Sequence, residues 1–192
     1  MLLTDDHGLR FAVVDVETSG LSLRWNRLLQ VGVVMVDSGG VVIDRWSSLV
    51  RPRRRWFRVG PTSLHGIDRA ALRQAPSQQA VLVELASRLD GAVFVAHNAA
   101  FDLGFLRKAA TECGVALPIR SSLCTLRLSR RLDPDRARSH RLGALCERYD
   151  VTLVRPHDAL ADADATAAVL PHLLHAHGIV SVEAVAAQLD AA

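Results

Sequence analysis

Apolar and polar residues along the first fifty positions predict three strands joined by short turns. The β-branched stretch Phe11–Gly20 predicts a buried strand that ends in a Thr-Ser-Gly turn. The polar segment Leu21–Arg27 predicts a turn, and Leu28–Val36 a second apolar strand. After a tight turn at Asp37–Gly40, the alternating segment Val41–Val50 predicts a third, more exposed strand. These strands form an antiparallel meander.

The rest of the chain combines helical periodicity with one further strand. Arg51–Gly66 is a connection, and short helices follow Asp68 and Pro76. Ala92–Ala96 predicts a buried strand parallel to the first, followed by a helix from Asn98 to about residue 112. Further helices are predicted at Leu123–Arg131, at Arg141–Arg148, from Pro156-His157-Asp158 to about His177, and at Ser181–Asp190. This order predicts an α/β layer fold with a mixed sheet, as one domain over residues 1–192 with its core at about 9–177.

Composition narrows the class of protein. With 192 residues, 49% apolar and 22% charged, the chain is typical of one folded domain. No apolar run approaches the length of a membrane span, and the N-terminus lacks the features of a signal peptide. The three cysteines show no Cys-x-x-Cys spacing, which argues against a disulfide scaffold or a zinc site. We therefore expect no membrane association and a cytoplasmic, reducing environment.

Positive charge is a mild indication of a polyanionic partner. The net charge is +3 and the pI about 9.1. One arginine cluster, Arg51–Arg58, surrounds Trp56, and a second lies between Arg127 and Arg141. Contact with nucleic acid and simple solvent exposure both remain open for these clusters. Trp56 is the better candidate for nucleic-acid contact, whereas Trp25 and Trp46 are expected to be partly in the core.

Two carboxylates close the first strand. Asp15 and Glu17 are two residues apart, so they share a face of the strand. Side by side at a buried strand end, they repel each other and lose hydration, and a hard cation such as Mg2+ or Mn2+ removes both penalties. Taken alone, an Asp-x-Glu triplet is a weak signal, and ordinary charges at a strand end explain it as well.

Two later segments can complete a metal site. Asp102 falls on the first turn of the helix that follows the parallel strand, although a helix N-terminus favours an acid in any case. Asp162 lies five residues after His157, so the two converge only if His157 precedes the helix. Four carboxylates suit two divalent ions about 3.5–4 Å apart. A neighbouring histidine can take a proton from water, although a histidine there can also be a cap or a surface group.

Three motifs carry a resemblance to a known family. They are Asp15-Val16-Glu17-Thr18-Ser19-Gly20, Val95-Ala96-His97-Asn98-Ala99-Ala100-Phe101-Asp102, and His157-Asp158-Ala159-Leu160-Ala161-Asp162. In this order they resemble the motifs of DnaQ-like 3′→5′ exonucleases, and the position of His157 resembles the DEDDh branch. Leu64-His65-Gly66-Ile67 and Ser139-His140-Arg141-Leu142 are also similar to family segments, so the resemblance spans about residues 9–175. The sequence departs from the family's usual pattern at Gln30 and Cys124, where acids are common.

The resemblance implies a ribonuclease H-like fold, with a central five-stranded mixed sheet flanked by helices. It implies that Asp15, Glu17, Asp102 and Asp162 hold two Mg2+ or Mn2+ ions, that Glu17 and His157 are catalytic, and that nucleoside 5′-monophosphates are released. It further implies that the terminal nucleotide is held by Thr18, Leu21, His65, Asn98 and Phe101. Core packing is a rival role for Leu21 and Phe101.

The implied partner is a nucleic acid with a free 3′ end, single-stranded or frayed. DNA is somewhat favoured over RNA, although the sequence does not decide between them. The alternative function is a non-catalytic module that binds 3′ ends or assists a polymerase in proofreading. We expect a free-standing enzyme, because no long tail follows the last motif helix; oligomeric state and protein partners stay open.

Overall fold

A six-stranded sheet forms the centre of the protein in this computed structural model, which describes residues 8–53 and 57–191. The strands are β1 Arg10–Thr18, β2 Leu28–Asp37, β3 Val42–Leu49, β4 Val93–Ala96, β5 Ser121–Cys124 and β6 Asp190–Ala191, in the order β3-β2-β1-β4-β5-β6. β1 pairs antiparallel with β2 and parallel with β4, and β5 is parallel to β4. The predicted meander and five-stranded mixed sheet are confirmed, and the two-residue β6 extends the sheet on the far side of β5.

Eight helices surround the sheet in the described part of the chain. They are α1 Thr62–His65, α2 Arg69–Gln74, α3 Gln78–Leu89, α4 Ala99–Cys113, α5 Thr125–Arg131, α6 Leu142–Arg148, α7 Ala159–Ala176 and α8 Val182–Ala186. Side chains of Asp68, Ser77, Asp158 and Ser181 accept a hydrogen bond from the backbone N–H three residues on, which fixes the start of four helices. None of the described helices combines the length and apolarity needed to span a bilayer.

The core has a layer on each face of the sheet. On β1, Ala12 and Val14 belong to the layer that contains α3 and α4. Phe11 and Val13 alternate with them and belong to the layer that contains α5, α6 and α7. The catalytic candidates at the end of β1 therefore lie between two helical layers.

Two predicted helices are corrected at their ends. Residues 121–124 form β5, so the helix predicted at Leu123–Arg131 begins at Thr125. The segment Ser-Ser-Leu-Cys is too short to show a decisive period, and only pairing with β4 makes it a strand. The helix predicted at Ser181–Asp190 ends at Ala186, because Asp190 pairs with Ser122 on the free edge of β5.

The tryptophans divide differently from the prediction. Trp46 is partly buried against the α3–α4 layer, as expected. Trp25 was predicted as partial core, but 71% of its surface is exposed because the loop that carries it is tied to its own backbone and to α4. Trp56, with Arg54 and Arg55 of the first arginine cluster, lies outside the described residues. All three cysteines are free thiols.

Candidate active site

The end of β1 places Asp15 and Glu17 on the face covered by α7. Phe11 and Val13 precede them on the same face and pack in the α7 layer. In the antiparallel ladder, Asp15 lies opposite Gly32 and Glu17 opposite Gln30. Both carboxylates therefore point toward the helix that carries Asp162.

Gly32 and Gln30 on β2 seat the start of α7. A Cβ at Gly32 would lie 2.3 Å from the carbonyl carbon and oxygen of Ala159, so only glycine permits this approach of helix to sheet. The Ala159 N–H donates to Gln30 Oε1 at 3.3 Å, and Gln30 Nε2 donates to Ser47 Oγ at 3.2 Å. Sequence reasoning did not assign these roles; an isolated glycine within an apolar strand was the available signal.

His157 and Asp162 meet because the chain turns sharply before α7. His157 has φ 65°, in the left-handed region, and lies in the loop before the helix, as the five-residue spacing required. Its backbone N–H donates to Asp162 Oδ2 at 3.1 Å. Asp158 caps the helix by accepting from Ala161 N–H at 3.1 Å, so it faces its own helix end. Potential ligand atoms of Glu17, His157 and Asp162 lie within 4.8 Å of one another.

Asp102 approaches from the opposite helical layer. β4 lies parallel beside β1, and Asn98, with φ 74°, turns the chain directly into α4. Asp102 falls in the first turn of α4, is 2% exposed, and its Oδ1 accepts the Val16 N–H at 3.2 Å. The carboxylate is thereby bonded to the backbone between Asp15 and Glu17.

Burial and mutual repulsion raise the pKa of the carboxyl groups on β1. For Asp15, loss of hydration raises the pKa well above its ordinary value, and the charges of Asp102, Asp162 and Glu17 raise it further. For Glu17, burial first, then Asp162 and Asp158, raises the pKa to about 7. An anionic cluster of this kind is stabilised by either protons or cations.

The carboxyl groups on α4 and α7, Asp102 and Asp162, also have raised pKa values. Burial raises the pKa of Asp102, partly offset by hydrogen bonds from its own backbone and from Val16. Burial also raises the pKa of Asp162, partly offset by His157. Among the described residues, no arginine or lysine forms an ion pair with any of the four carboxylates. Oxygen donors without a protein counter-charge fit hard divalent cations.

Comparison with known families identifies the chain. The sequence model of a family described as exonuclease matches residues 12–170, which include all four carboxylates and His157. The chain belongs to the exonuclease family. A putative bifunctional exonuclease/endonuclease protein of Mycobacterium tuberculosis is 39% identical over 186 residues, 91% of this chain and 28% of that protein. The PolC-type DNA polymerase III of Halalkalibacterium halodurans is 37% identical over 160 residues, 83% of this chain and 11% of the polymerase. The chain thus spans less than a third of the length of these relatives.

Solved structures support the fold of the chain. Escherichia coli exonuclease I in complex with a dT13 oligonucleotide matches with a TM-score of 0.76 at 19% identity, over 88% of this chain and 42% of that chain. A dA16 complex of the same enzyme matches with the same score at 18% identity. At this identity the likeness shows the fold alone, and it confirms the predicted ribonuclease H-like architecture.

The predicted substrate-contact residues differ in exposure. Leu21 is 85% exposed and stands clear of the core. Phe101 is half-buried, with its ring centroid 5.0 Å from that of Phe105, so core packing is part of its role. Asn98 is exposed at the start of α4. The structure therefore leaves Leu21 and Asn98 available for contact with a ligand.

Thr18 and His65 are more enclosed. The Thr18 hydroxyl donates to the Gly20 carbonyl at 2.9 Å and shapes the turn after β1. His65 is 8% exposed, and its Nδ1 accepts the Ile67 N–H at 3.0 Å. Its Nε2 is buried and has no partner within the described part of the chain. A buried imidazole nitrogen without a partner is the type of group that a ligand can satisfy.

Two further histidines, His97 and His140, support the turn that leads into α4. His97 Nδ1 lies 3.0 Å from Thr125 Oγ1, and its ring donates to the backbone of His140. His140 Nδ1 in turn lies 2.8 Å from Ser129 Oγ. Burial lowers the pKa of His97 to about 4, so the ring is neutral at pH 7. These contacts fix the turn into α4, and sequence reasoning noted the Ser-His segment without finding this role.

Proposed function

We propose that the chain is a metal-dependent 3′→5′ exonuclease of the DEDDh type. The observation that carries this proposal is the meeting of acidic groups from β1, α4 and α7 beside His157. Glu17, His157 and Asp162 come within 4.8 Å, and Asp102 is bonded to the backbone between Asp15 and Glu17. Membership of the exonuclease family gives the reaction class.

The four carboxylates would hold two Mg2+ or Mn2+ ions. The ions would supply positive charge that activates water and stabilises the leaving 3′ oxygen. His157 is exposed beside Glu17 and Asp162, where its imidazole can accept the proton of an attacking water molecule. Because Asp162 binds the His157 backbone N–H, the same carboxylate orients the base. Attack on the terminal phosphodiester would release a nucleoside 5′-monophosphate.

Single-stranded DNA with a free 3′ end is the proposed substrate. The similar structures are complexes of exonuclease I with dT13 and dA16, and the similar proteins include DNA polymerases. The terminal nucleotide would be held by Thr18, Leu21, His65, Asn98 and Phe101. We also propose a cytoplasmic location.

The direct test follows cleavage of an oligothymidylate labelled at its 5′ end. With Mg2+ or Mn2+, the label should pass through a ladder of products that shorten one nucleotide at a time, and EDTA should stop the reaction. Asp15→Ala should abolish cleavage. Asp164→Ala is the matched control, because Asp164 lies on the same helix as Asp162 but pairs with Arg45 at 2.7 Å.

Three results would contradict the proposal. Immediate release of the 5′ label as a mononucleotide would reverse the polarity. Full activity in EDTA would show that the reaction does not require a metal ion. Tight binding of the oligonucleotide without cleavage would favour the alternative, a non-catalytic module that binds 3′ ends. Matched RNA and DNA strands in the same assay decide the sugar preference.

A further inference from the structure

The 19–27 loop, residues Ser19–Arg27, joins β1 to β2 directly beyond Glu17 and Thr18. Its ends pair through the Ser19 N–H and the Arg27 carbonyl at 2.9 Å. The Asn26 side chain binds the Ser19 carbonyl at 3.0 Å and the Ser22 N–H at 2.9 Å. Lys108 of α4 donates to the carbonyls of Leu23 and Asn26. The loop is therefore fixed both internally and to the helix that carries Asp102.

This fixed loop holds large apolar side chains in solvent. Leu21 is 85% exposed, Trp25 71% and Leu23 44%. Leu23 rests on α4 at Gly104, where a Cβ would lie only 3.0 Å from Leu23 Cδ1. Since ordered backbone contacts place Trp25 outside the core, its exposure is part of the built structure. Contiguous exposed apolar groups of this kind mark binding surfaces.

Three cations lie in the loop or against it. The Arg24 guanidinium lies 4.7 Å from the centroid of the Trp25 ring. Arg27 Nη1 and Lys108 Nζ both donate to the Asn26 carbonyl at 3.0 Å. Burial first, and then the charge of Arg27, lowers the pKa of Lys108. The loop itself contains no acidic residue. Its charge is thus opposite to that of the carboxylate cluster at the end of β1.

We infer that the 19–27 loop is a binding subsite for single-stranded nucleic acid upstream of the 3′ end, with Trp25 stacking on a base and Arg24, Arg27 and Lys108 facing phosphates. The inference rests on the proposed function and adds where the rest of the strand lies. An aromatic ring with neighbouring cations is the usual platform for single strands, because every base has a π-face and every linkage a negative charge. The charge favours this occupant over an apolar protein surface.

The distance from the carboxylates fits the upstream strand. Ser19 and Arg27 lie across from each other at about 5 Å. Ser19 is two positions along the chain from Glu17, and Arg27 is two positions from Trp25, with each step spanning at most about 3.6 Å. The Cα atoms of Glu17 and Trp25 are therefore within about 20 Å, which corresponds to at most about six nucleotides at roughly 3.4 Å per stacked nucleotide.

The test measures binding of a 5′-fluorescent oligothymidylate of about ten nucleotides by anisotropy, with Mg2+, in an Asp15→Asn background that does not cleave. Trp25→Ala should raise Kd by between about fivefold and a hundredfold, and Trp25→Phe should restore most of the affinity. Val83→Ala is the control, because Val83 is an apolar residue on α3 that is 56% exposed. It should leave Kd unchanged.

An abasic scan locates the contact. One abasic nucleotide at each of the upstream positions should weaken binding most at one position, and Trp25→Ala should remove that dependence. In the cleaving protein, Trp25→Ala should raise KM on the long strand, leave kcat unchanged, and have no effect on a dinucleotide. Arg24→Ala should lower the slope of log Kd against log salt concentration by about 0.7.

Two kinds of failure can be distinguished. If the Asp15→Asn protein binds the strand and the parent protein cleaves it, but Trp25→Ala binds as tightly as its background, the subsite is wrong and the loop serves a protein partner or another copy of the chain. If no strand is bound and none is cleaved, the proposed function fails and the subsite fails with it.

Discussion

Replacing Glu17 by glutamine should make the metal-free protein more stable and almost inactive. Glu17 is 9% exposed, and the pKa of its carboxyl group is raised from 4.5 to about 7. The native state therefore binds this proton more readily than the unfolded state does. The contribution of protonated Glu17 to stability is fully present below about pH 4.5 and is lost as the pH rises through about 7. Glutamine has the same shape without the charge, so the variant should escape this loss.

The magnitude follows from the shift. The pKa of Glu17 changes from 4.5 to about 7 on folding. At about 1.4 kcal/mol per pKa unit, this lowers the free energy of unfolding by about 3 kcal/mol when the pH is above both pKa values. For a chain of this size that corresponds to roughly 6–12 °C in Tm. In EDTA at about pH 8, Glu17→Gln should exceed the parent by this amount, and at about pH 4.5 the two should unfold together. Cleavage should fall at least a hundredfold, since a proposed metal ligand is lost.

The assay is denaturant and thermal unfolding by far-UV circular dichroism across pH, in EDTA and in Mg2+. Mg2+ should stabilise the parent at high pH, because the ion binds only the folded state, and should stabilise Glu17→Gln much less. Glu147→Gln, at an exposed position on α6, is the charge-matched control. If Glu17→Gln were no more stable than the parent in EDTA at about pH 8, the carboxylates would not repel as described.

Three further changes test other parts of the site. His157→Ala should lower kcat by about 10²- to 10⁴-fold while Mg2+ still raises Tm; a parallel loss of the Mg2+ effect would make His157 a ligand and not a base. Gly32→Ala should lower the free energy of unfolding by about 1–3 kcal/mol and reduce cleavage, because the new Cβ would displace α7 and Asp162. Gly143→Ala is the control for the same denaturant titration; a Cβ at Gly143 meets nothing within 4 Å, so this variant should be neutral or slightly stabilising. Asn98→Ala should be destabilised by about 1–2 kcal/mol and Asn98→Gly should not, since φ is 74°; if the amide holds the nucleotide both variants raise KM, and an unchanged KM would exclude that contact.

The parts of the fold that the sequence predicted are those set by local pattern. β1 and β2 are short, nearly continuous apolar runs rich in valine and bounded by turn residues, which indicates buried strands. The shared face of Asp15 and Glu17 followed from the alternation of side chains along a strand, and the position of His157 from its spacing to Asp162. These features depend on nearest neighbours along the chain and therefore survive without knowledge of the packing.

The parts that sequence reasoning missed depend on distant contacts. β5 is four residues long and exists because β4 offers it an edge, and β6 forms on β5 in the same way. Trp25 is predicted to lie partly in the core, but the hydrogen bonds of Asn26 hold its loop outward. Gly32 acquires its role only when Ala159, far along the chain, packs on it. A single sequence does not show which residues will meet.

If acidic groups from three separate segments of the chain hold two divalent ions, those ions can be counted. Metal-free protein is titrated with Mn2+ in the presence of a nucleoside 5′-monophosphate, and bound Mn2+ is followed by electron paramagnetic resonance. We predict two ions per chain, loss of at least one in Asp102→Asn and in Asp162→Asn, and two ions in Asp164→Asn. A parent chain that binds one ion or none, or an Asp102→Asn protein that still binds two, would contradict the account.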